Sequence, residues 1–231
     1  MCPRQDASDL LSPCARLTGG TISWCAYVDV LIIMQNIPSR EGYQYVFFIV
    51  DHATKICWVY PLKTRESKFI LSHLTTFVNE VLPSLNIRLR HFHSDGGAEL
   101  VAADVLTFLH KSGVTTSHSP RDTPQMNSIT ERWVRSLKEK VLCMLLRSLL
   151  PVAFWWLAVE CTVYLLNRLP TKTVLGYMSP YECVYGAAPD LKWILEELSD
   201  PHDILDGKEA CEVLSLHGRH CVGGMKTKNI S

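Results

Sequence analysis

Between residues 24 and 62 the chain carries three runs rich in β-branched and aromatic residues, 24–30, 43–51 and 56–62, separated by the turn-prone Pro38-Ser39-Arg40-Glu41-Gly42 and by His52-Ala53-Thr54-Lys55. Runs of this composition with connections this short predict a meander of three antiparallel strands. The period then changes. Phe69, Ile70, His73, Leu74, Phe77, Val78, Val81 and Leu82 recur at a spacing of three and four, which is one face of a helix of about four turns, ended by Pro83. Residues 87–93 read as a further strand, and after a crossover helix such a strand lies parallel within the same sheet. A helix over 98–111 closed by Gly113, a short strand over 114–117 and a long helix after Thr123-Pro124 follow. Strands, helix, strand, helix, strand and then helices specify an α/β fold, a mixed five-stranded sheet flanked by helices.

The 231 residues are 47% hydrophobic and 20% charged, enough apolar surface for a packed core. Three segments are expected: a loose leader over 1–20 closing with Gly19-Gly20, a core over 21–190, and an irregular tail over 191–231. Lys+Arg and Asp+Glu both number 23, so a strongly basic nucleic-acid binder is excluded and any site for a polyanion is local. A local excess that the neutral total conceals lies in residues 120–150, which hold six basic and three acidic side chains. Nine cysteines without a Cys-x-x-Cys pair support neither a disulfide framework nor a zinc ribbon and predict reduced thiols in an intracellular protein. The apolar stretch 149–166 has the length of a membrane span. Pro151 near its start and Glu160 inside it argue instead for a buried helix, since a carboxylate at mid-bilayer costs about 2.5–3.5 kcal/mol.

Three acids occupy positions that packing alone does not explain. Asp29 lies in Ala26-Tyr27-Val28-Asp29-Val30, and an acid within an apolar strand is costly unless paired or bound to a cation. Asp95 follows a predicted strand and precedes Gly96-Gly97, which let the backbone turn tightly and a ligand approach. Glu131 lies on the long helix, with 35 residues between it and Asp95. Three carboxylates are a donor set for two Mg²⁺ ions, which clamp the attacking and leaving oxygens of a phosphoryl displacement. Asp51 is a competitor at a strand end, but its neighbours are turn residues. His91 and His93 form an H-x-H pair on a strand, read as structural rather than metal-binding. On the long helix Glu131, Arg135 and Lys138 lie within about 60° of one another, with Ile129, Trp133, Leu137, Val141 and Leu145 on the sheet side. Arg135 and Lys138 are therefore candidate phosphate contacts, weighed against an ordinary solvated face. Gln125 and Asn127, in the approach to the helix, either contact the same phosphates or cap the helix.

Taken in order, these pieces resemble a known family. Val28-Asp29-Val30, Phe48-Ile49-Val50-Asp51, Trp58-Val59-Tyr60-Pro61-Leu62-Lys63, His93-Ser94-Asp95-Gly96-Gly97-Ala98-Glu99 and Ser119-Pro120-Arg121-Asp122-Thr123-Pro124-Gln125-Met126-Asn127 come first. Glu131-Arg132, Leu150-Pro151, Phe154-Trp155, Tyr164-Leu165, Asn167-Arg168-Leu169-Pro170 and Ser179-Pro180-Tyr181-Glu182 follow. Over about residues 22–190 the chain is similar to the integrase catalytic core of Ty1/copia-type retrotransposons, which is related to retroviral integrases and has a ribonuclease H-like fold. Two departures stand out: Ser128 where the family usually has Gly, and Leu100 where Tyr or Phe is common.

The resemblance implies that Asp29, Asp95 and Glu131 are a catalytic, metal-binding triad for two Mg²⁺ ions, with Mn²⁺ able to substitute. Asp29 and Asp95 bridge the metals and Glu131 completes the second position. Gln125, Asn127, Arg132, Arg135 and Lys138 are the implied DNA-binding residues. The implied activity is DNA integration by polynucleotidyl transfer, in which a 3′ end is nicked and its hydroxyl then joined to target DNA. The implied partners are element-end and target DNA together with further copies of the chain, without a membrane, and the implied place of action is the nucleus. The first histidine is His52, so the amino-terminal zinc module of such integrases is not expected in this chain. Two alternatives remain open. One is a ribonuclease H-type nuclease, which wants a further acid in the first long helix, where Glu66 and Glu80 lie near the ends. The other is a transposable-element remnant that binds nucleic acid without catalysing integration.

Overall fold

A computed structural model describes residues 22–118, 124–173 and 176–190. The expected leader and tail lie outside the described residues. Five strands form the main sheet among those residues: β1 (Ile22–Leu31), β2 (Tyr45–Asp51), β3 (Cys57–Leu62), β4 (Ile87–Ser94) and β5 (Thr115–His118), in the order β3-β2-β1-β4-β5. β1 to β3 form the antiparallel meander, while β4 pairs parallel with β1 and β5 parallel with β4. The mixed sheet expected from the sequence is thus realised, with β1 at its centre. Pro61 falls on the edge strand β3, where a residue without an N–H is tolerated.

Helices cover both faces. α1 (Ser67–Thr76) runs through a π-helical turn, Phe77–Val81, into the short α2 (Leu82–Ser84). The helix therefore passes Pro83 instead of ending before it. At the wide turn the Leu82 N–H reaches the Phe77 carbonyl five residues back, and this widening makes room for a proline ring that would collide with a regular helix. α3 (Ala103–Lys111) starts later than the sequence suggests, because residues 98–101 belong to a turn in which the Leu100 and Val101 amides both donate to the Gly97 carbonyl. α4 (Pro124–Ser148) is the long helix, followed by a 3-10 turn at Val152–Phe154, α5 (Trp155–Arg168) and α6 (Pro180–Tyr185). A two-stranded ribbon of β6 (Thr171–Thr173) and β7 (Gly176–Met178) links the last two helices. The apolar stretch 149–166 is thus a turn plus a buried helix, and no helix among the described residues is long and apolar enough to cross a membrane.

Strand alternation divides the core. Trp24, Ala26, Val28 and Val30 of β1 pack with Ile70, Leu74, Phe77, Val105 and Leu109 from α1 to α3. Tyr27 and Leu31 face the other way, toward Leu137, Val141 and Leu145 of α4 and Trp155, Trp156 and Val159 of α5. Leu137, Val141 and Leu145 of the α4 stripe read from the sequence are therefore buried, with Trp133 half-buried, while the side chain of Ile129 lies outside the described residues. Leu100, in place of an aromatic residue, is only 1% exposed and fills its site in the first cluster.

Two sequence motifs are explained by packing. The Asn167 side chain accepts from the Cys57 N–H at 2.9 Å and donates to the Cys57 carbonyl at 2.8 Å, so it closes the open edge of β3 as a neighbouring strand would. Arg168 lies over the Tyr164 ring at 3.5 Å and the Tyr181 ring at 4.9 Å. Ser179 caps α6 by accepting from the Glu182 N–H at 3.0 Å, with Pro180 behind it in the first turn. These residues fasten the last helices to the sheet.

Candidate active site

Parallel pairing of β1 and β4 places Val28 opposite Ser94, so the next rung sets Asp29, inside β1, beside Asp95, just past the end of β4. Alternation turns Asp29 to the same sheet face as Tyr27 and Leu31, the face that α4 covers. Asp29 is half-buried and accepts the Val30 amide at 2.7 Å. Burial lifts its carboxyl to about 6, the Asp95 charge adds to the rise, and the Val30 hydrogen bond and Arg65 oppose it. Two acids that repel one another at the end of a sheet, one of them desolvated, are a suitable seat for a hard divalent cation.

The loop after Asp95 is built to keep that carboxylate forward. Gly96 has φ +80°, a left-handed conformation that glycine adopts without strain. The Gly97 amide donates to Asp95 Oδ1 at 2.9 Å. A Cβ at Gly97 would stand 3.3 Å from both Asp95 Oδ1 and Glu99 Oε2, so the Asp95 and Glu99 carboxylates flank this one residue. Glu99 is held in turn by Arg65, whose Nε donates to Oε1 at 2.6 Å and whose Nη2 meets the same oxygen. Arg65 and Glu99 were not singled out by sequence reasoning.

Glu131 is exposed on α4, and it is not gathered with the two aspartates: among the described residues no group of three His, Cys, Asp or Glu side chains stands close enough together to hold a metal ion. The side chains of Gln125 and Asn127 lie outside the described residues. Arg132, Arg135 and Lys138 are all exposed. Arg132 lies near Lys55: burial pulls the Lys55 amine below its ordinary value, Asp51 opposes this, and the Arg132 charge adds to it. Glu66 bonds Thr64 and Lys68, Glu80 is exposed, and neither is drawn into the Asp29–Asp95 pair.

The competitor acids and histidines have structural duties. Asp51 is fully buried and accepts from the Cys25, Ala53 and Thr54 amides and from the Thr54 hydroxyl, at 2.8–3.3 Å. These bonds bind the β2–β3 turn to β1. His91 bonds Thr115 and Ser117 at 2.8 and 2.7 Å, and His93 bonds Ser117 at 2.7 Å, so the H-x-H pair joins β4 to β5.

Comparison with known proteins agrees with this architecture. Residues 24–124 match the integrase core domain. The chain is 34% identical over 154 residues to the retrovirus-related Pol polyprotein from transposon RE1 of Arabidopsis thaliana, covering 67% of this chain and 10% of that protein. It is 33% identical over 145 residues to the Pol polyprotein from transposon TNT 1-94 of Nicotiana tabacum, covering 63% of this chain and 11% of that protein. The chain thus spans about a tenth of the length of these relatives. Among solved structures, the catalytic core domain of BIV integrase superposes with a TM-score of 0.51 at 15% identity, over 70% of this chain and 93% of that one. The HTLV-2 integrase catalytic core domain in complex with magnesium, in a trimeric form, gives 0.51 at 16% identity, over 70% and 95%. At such identities these two show the ribonuclease H-like fold alone. By its sequence relatives, the chain belongs to the integrase catalytic cores of Ty1/copia-type retrotransposon Pol polyproteins.

Proposed function

We propose that the chain is the catalytic core of a DNA integrase that carries out polynucleotidyl transfer with Asp29, Asp95 and Glu131, in the nucleus and as a multimer. The observation that carries this reading is the neighbouring position of Asp29, in β1, and Asp95, just past the end of the parallel strand β4, with Asp29 on the sheet face that α4 covers. Asp29 and Asp95 would hold the divalent cations, Mg²⁺ or Mn²⁺, and the α4 helix would bring Glu131 as the third ligand when DNA and metal are bound. Bound there, the cations supply charge neutralisation to the phosphodiester oxygens.

The remaining chemistry falls to the chain and its substrate. In the nicking step a water oxygen bonds to phosphorus, the bond to the 3′ oxygen breaks, and that oxygen leaves as a free hydroxyl. In the joining step this hydroxyl attacks a target phosphodiester, one P–O bond forms, one breaks, and the target's own 3′ oxygen departs. Arg132, Arg135 and Lys138, with Gln125 and Asn127, would grip the backbone phosphates and hold the reacting groups in line. The structurally similar HTLV-2 integrase core, in complex with magnesium and in a trimeric form, supports the choice of metal and self-association.

The test is nicking and joining of labelled duplex DNA with Mg²⁺ or Mn²⁺, comparing the purified chain with Glu131→Gln. Metal-dependent nicking or joining lost in the variant supports the reading. Identical behaviour of two folded proteins contradicts it and favours a nucleic-acid-binding remnant.

A further inference from the structure

The Arg65–Glu99 ion pair lies beside the aspartate pair yet has no role in the account so far. It connects two segments far apart in sequence: Arg65 belongs to the stretch between β3 and α1, and Glu99 to the loop between β4 and α3. A second bond, from the Ser67 hydroxyl to Asp104 at 3.0 Å, ties together the helices that follow them, α1 and α3. Within the loop, Glu99 shares Gly97 with Asp95, since their carboxylate oxygens stand equally far from the space a Gly97 Cβ would fill. The Glu99 side chain is only 10% exposed, whereas that of Arg65 is 44% exposed. A carboxylate removed from water in this way needs its counter-charge.

We propose that Arg65 is a positioning residue for cation binding: by pairing with Glu99 beside Gly97, it holds the charge presented by the Asp29, Asp95 and Glu99 carboxylates at a net of two negatives, matched to one divalent cation. This inference rests on the reading of Asp29 and Asp95 as the cation seat. The acids alone carry three negative charges around one loop, and Arg65 removes one of them. Both partners border the seat, since Glu99 flanks Gly97 together with Asp95 and Arg65 pairs with Glu99. Tyr45, whose ring lies 5.8 Å from the Arg65 guanidinium carbon, adds an aromatic face that favours a cation in this position.

The arrangement makes a prediction of opposite signs that simple structural support does not share. Neutralising Arg65 leaves an extra negative charge at the seat and strengthens cation binding. Neutralising Glu99 leaves an unopposed guanidinium and weakens it. Neutralising both restores the original balance.

The experiment is a Mn²⁺ titration of the full chain, with free Mn²⁺ read by electron paramagnetic resonance and thermal unfolding recorded for each protein. Arg65→Gln is expected to bind about three- to tenfold more tightly and Glu99→Gln more weakly by a similar factor. Arg65→Lys and the double variant should stay close to the unmodified chain, and Asp29→Asn should lose binding. Should Arg65→Gln not fold, Glu99→Gln alone decides the sign. If Asp29→Asn abolishes binding while the Arg65 and Glu99 variants leave it unchanged or shift it in one common direction, the inference is overturned and the aspartate seat stands. If the unmodified chain binds no Mn²⁺, the seat itself is refuted and the inference with it.

Discussion

The ring of Trp133 on α4 lies 6.3 Å from that of Phe48 on β2, and Phe48 is the cross-strand partner of Asp29. The helix that carries Glu131 is therefore seated directly over the strand pair that carries the first aspartate. Two residues separate Trp133 from Glu131, a little more than half a turn, so the contact that anchors the helix also directs where its acid can go. Trp133→Ala should cost about 2 kcal/mol, given that the indole is half-buried. Urea denaturation measures this, and an unchanged midpoint would show that α4 is held elsewhere.

Asp51 should behave as a structural acid. Its carboxylate accepts from three amides and one hydroxyl without exposure to solvent, and truncation strands those donors. Asp51→Ala is expected to lose about 3 kcal/mol of stability. Its folded fraction should still bind Mn²⁺ as the unmodified chain does. Weaker metal affinity in a folded Asp51→Ala protein would mean that Asp51 takes part in the cation seat.

Asn167 completes the edge of β3, bonding both backbone groups of Cys57. Asn167→Ala should remove about 2 kcal/mol and expose that edge. Amide exchange at Cys57 should accelerate in step with the loss, while exchange in the central strand β1 tracks only the global change. Unaltered exchange at Cys57 would deny Asn167 this role.

Glu160 introduces a pH dependence. Burial first, then the Glu41 charge, opposed by a hydrogen bond from Trp156, raise its carboxyl from 4.5 to about 7. The folded state therefore binds this proton more tightly than the unfolded chain. The contribution is complete below pH 4.5 and is lost as pH rises through about 7. Glu160→Gln, which cannot ionise, should be more stable than the unmodified chain by about 1–2 kcal/mol at neutral to mildly alkaline pH, with the gap closing toward acid pH. Parallel stability curves across that range would place the titration elsewhere.

How far the sequence carries the account depends on what kind of interaction is concerned. The α4 stripe of Trp133, Leu137, Val141 and Leu145 is legible because burial imposes a period, and the meander is legible because its turns are short. Asp29 and Asp95 are legible as anomalies, one an acid in an apolar strand and the other an acid before two glycines. Arg65 and Glu99 are not, since an ion pair between side chains 34 positions apart leaves no periodic trace. The passage of the first helix through Pro83 is hidden for a different reason: the π-turn that accommodates it is a backbone adjustment with no residue signature of its own. The late start of α3 reflects competition for the Gly97 carbonyl, which two turn amides occupy before the helix begins.

The central claim is that Glu131 joins Asp29 and Asp95 around a cation. It is tested most directly by adding Mn²⁺ to the isotopically labelled chain bound to duplex DNA and recording which amide resonances its unpaired electrons broaden. The account predicts simultaneous broadening at Asp29, at residues 95–97 and at the α4 turn containing Glu131, all three abolished by Asp29→Asn. Broadening at the aspartates with an unaffected α4, in the presence of bound duplex DNA, would contradict it.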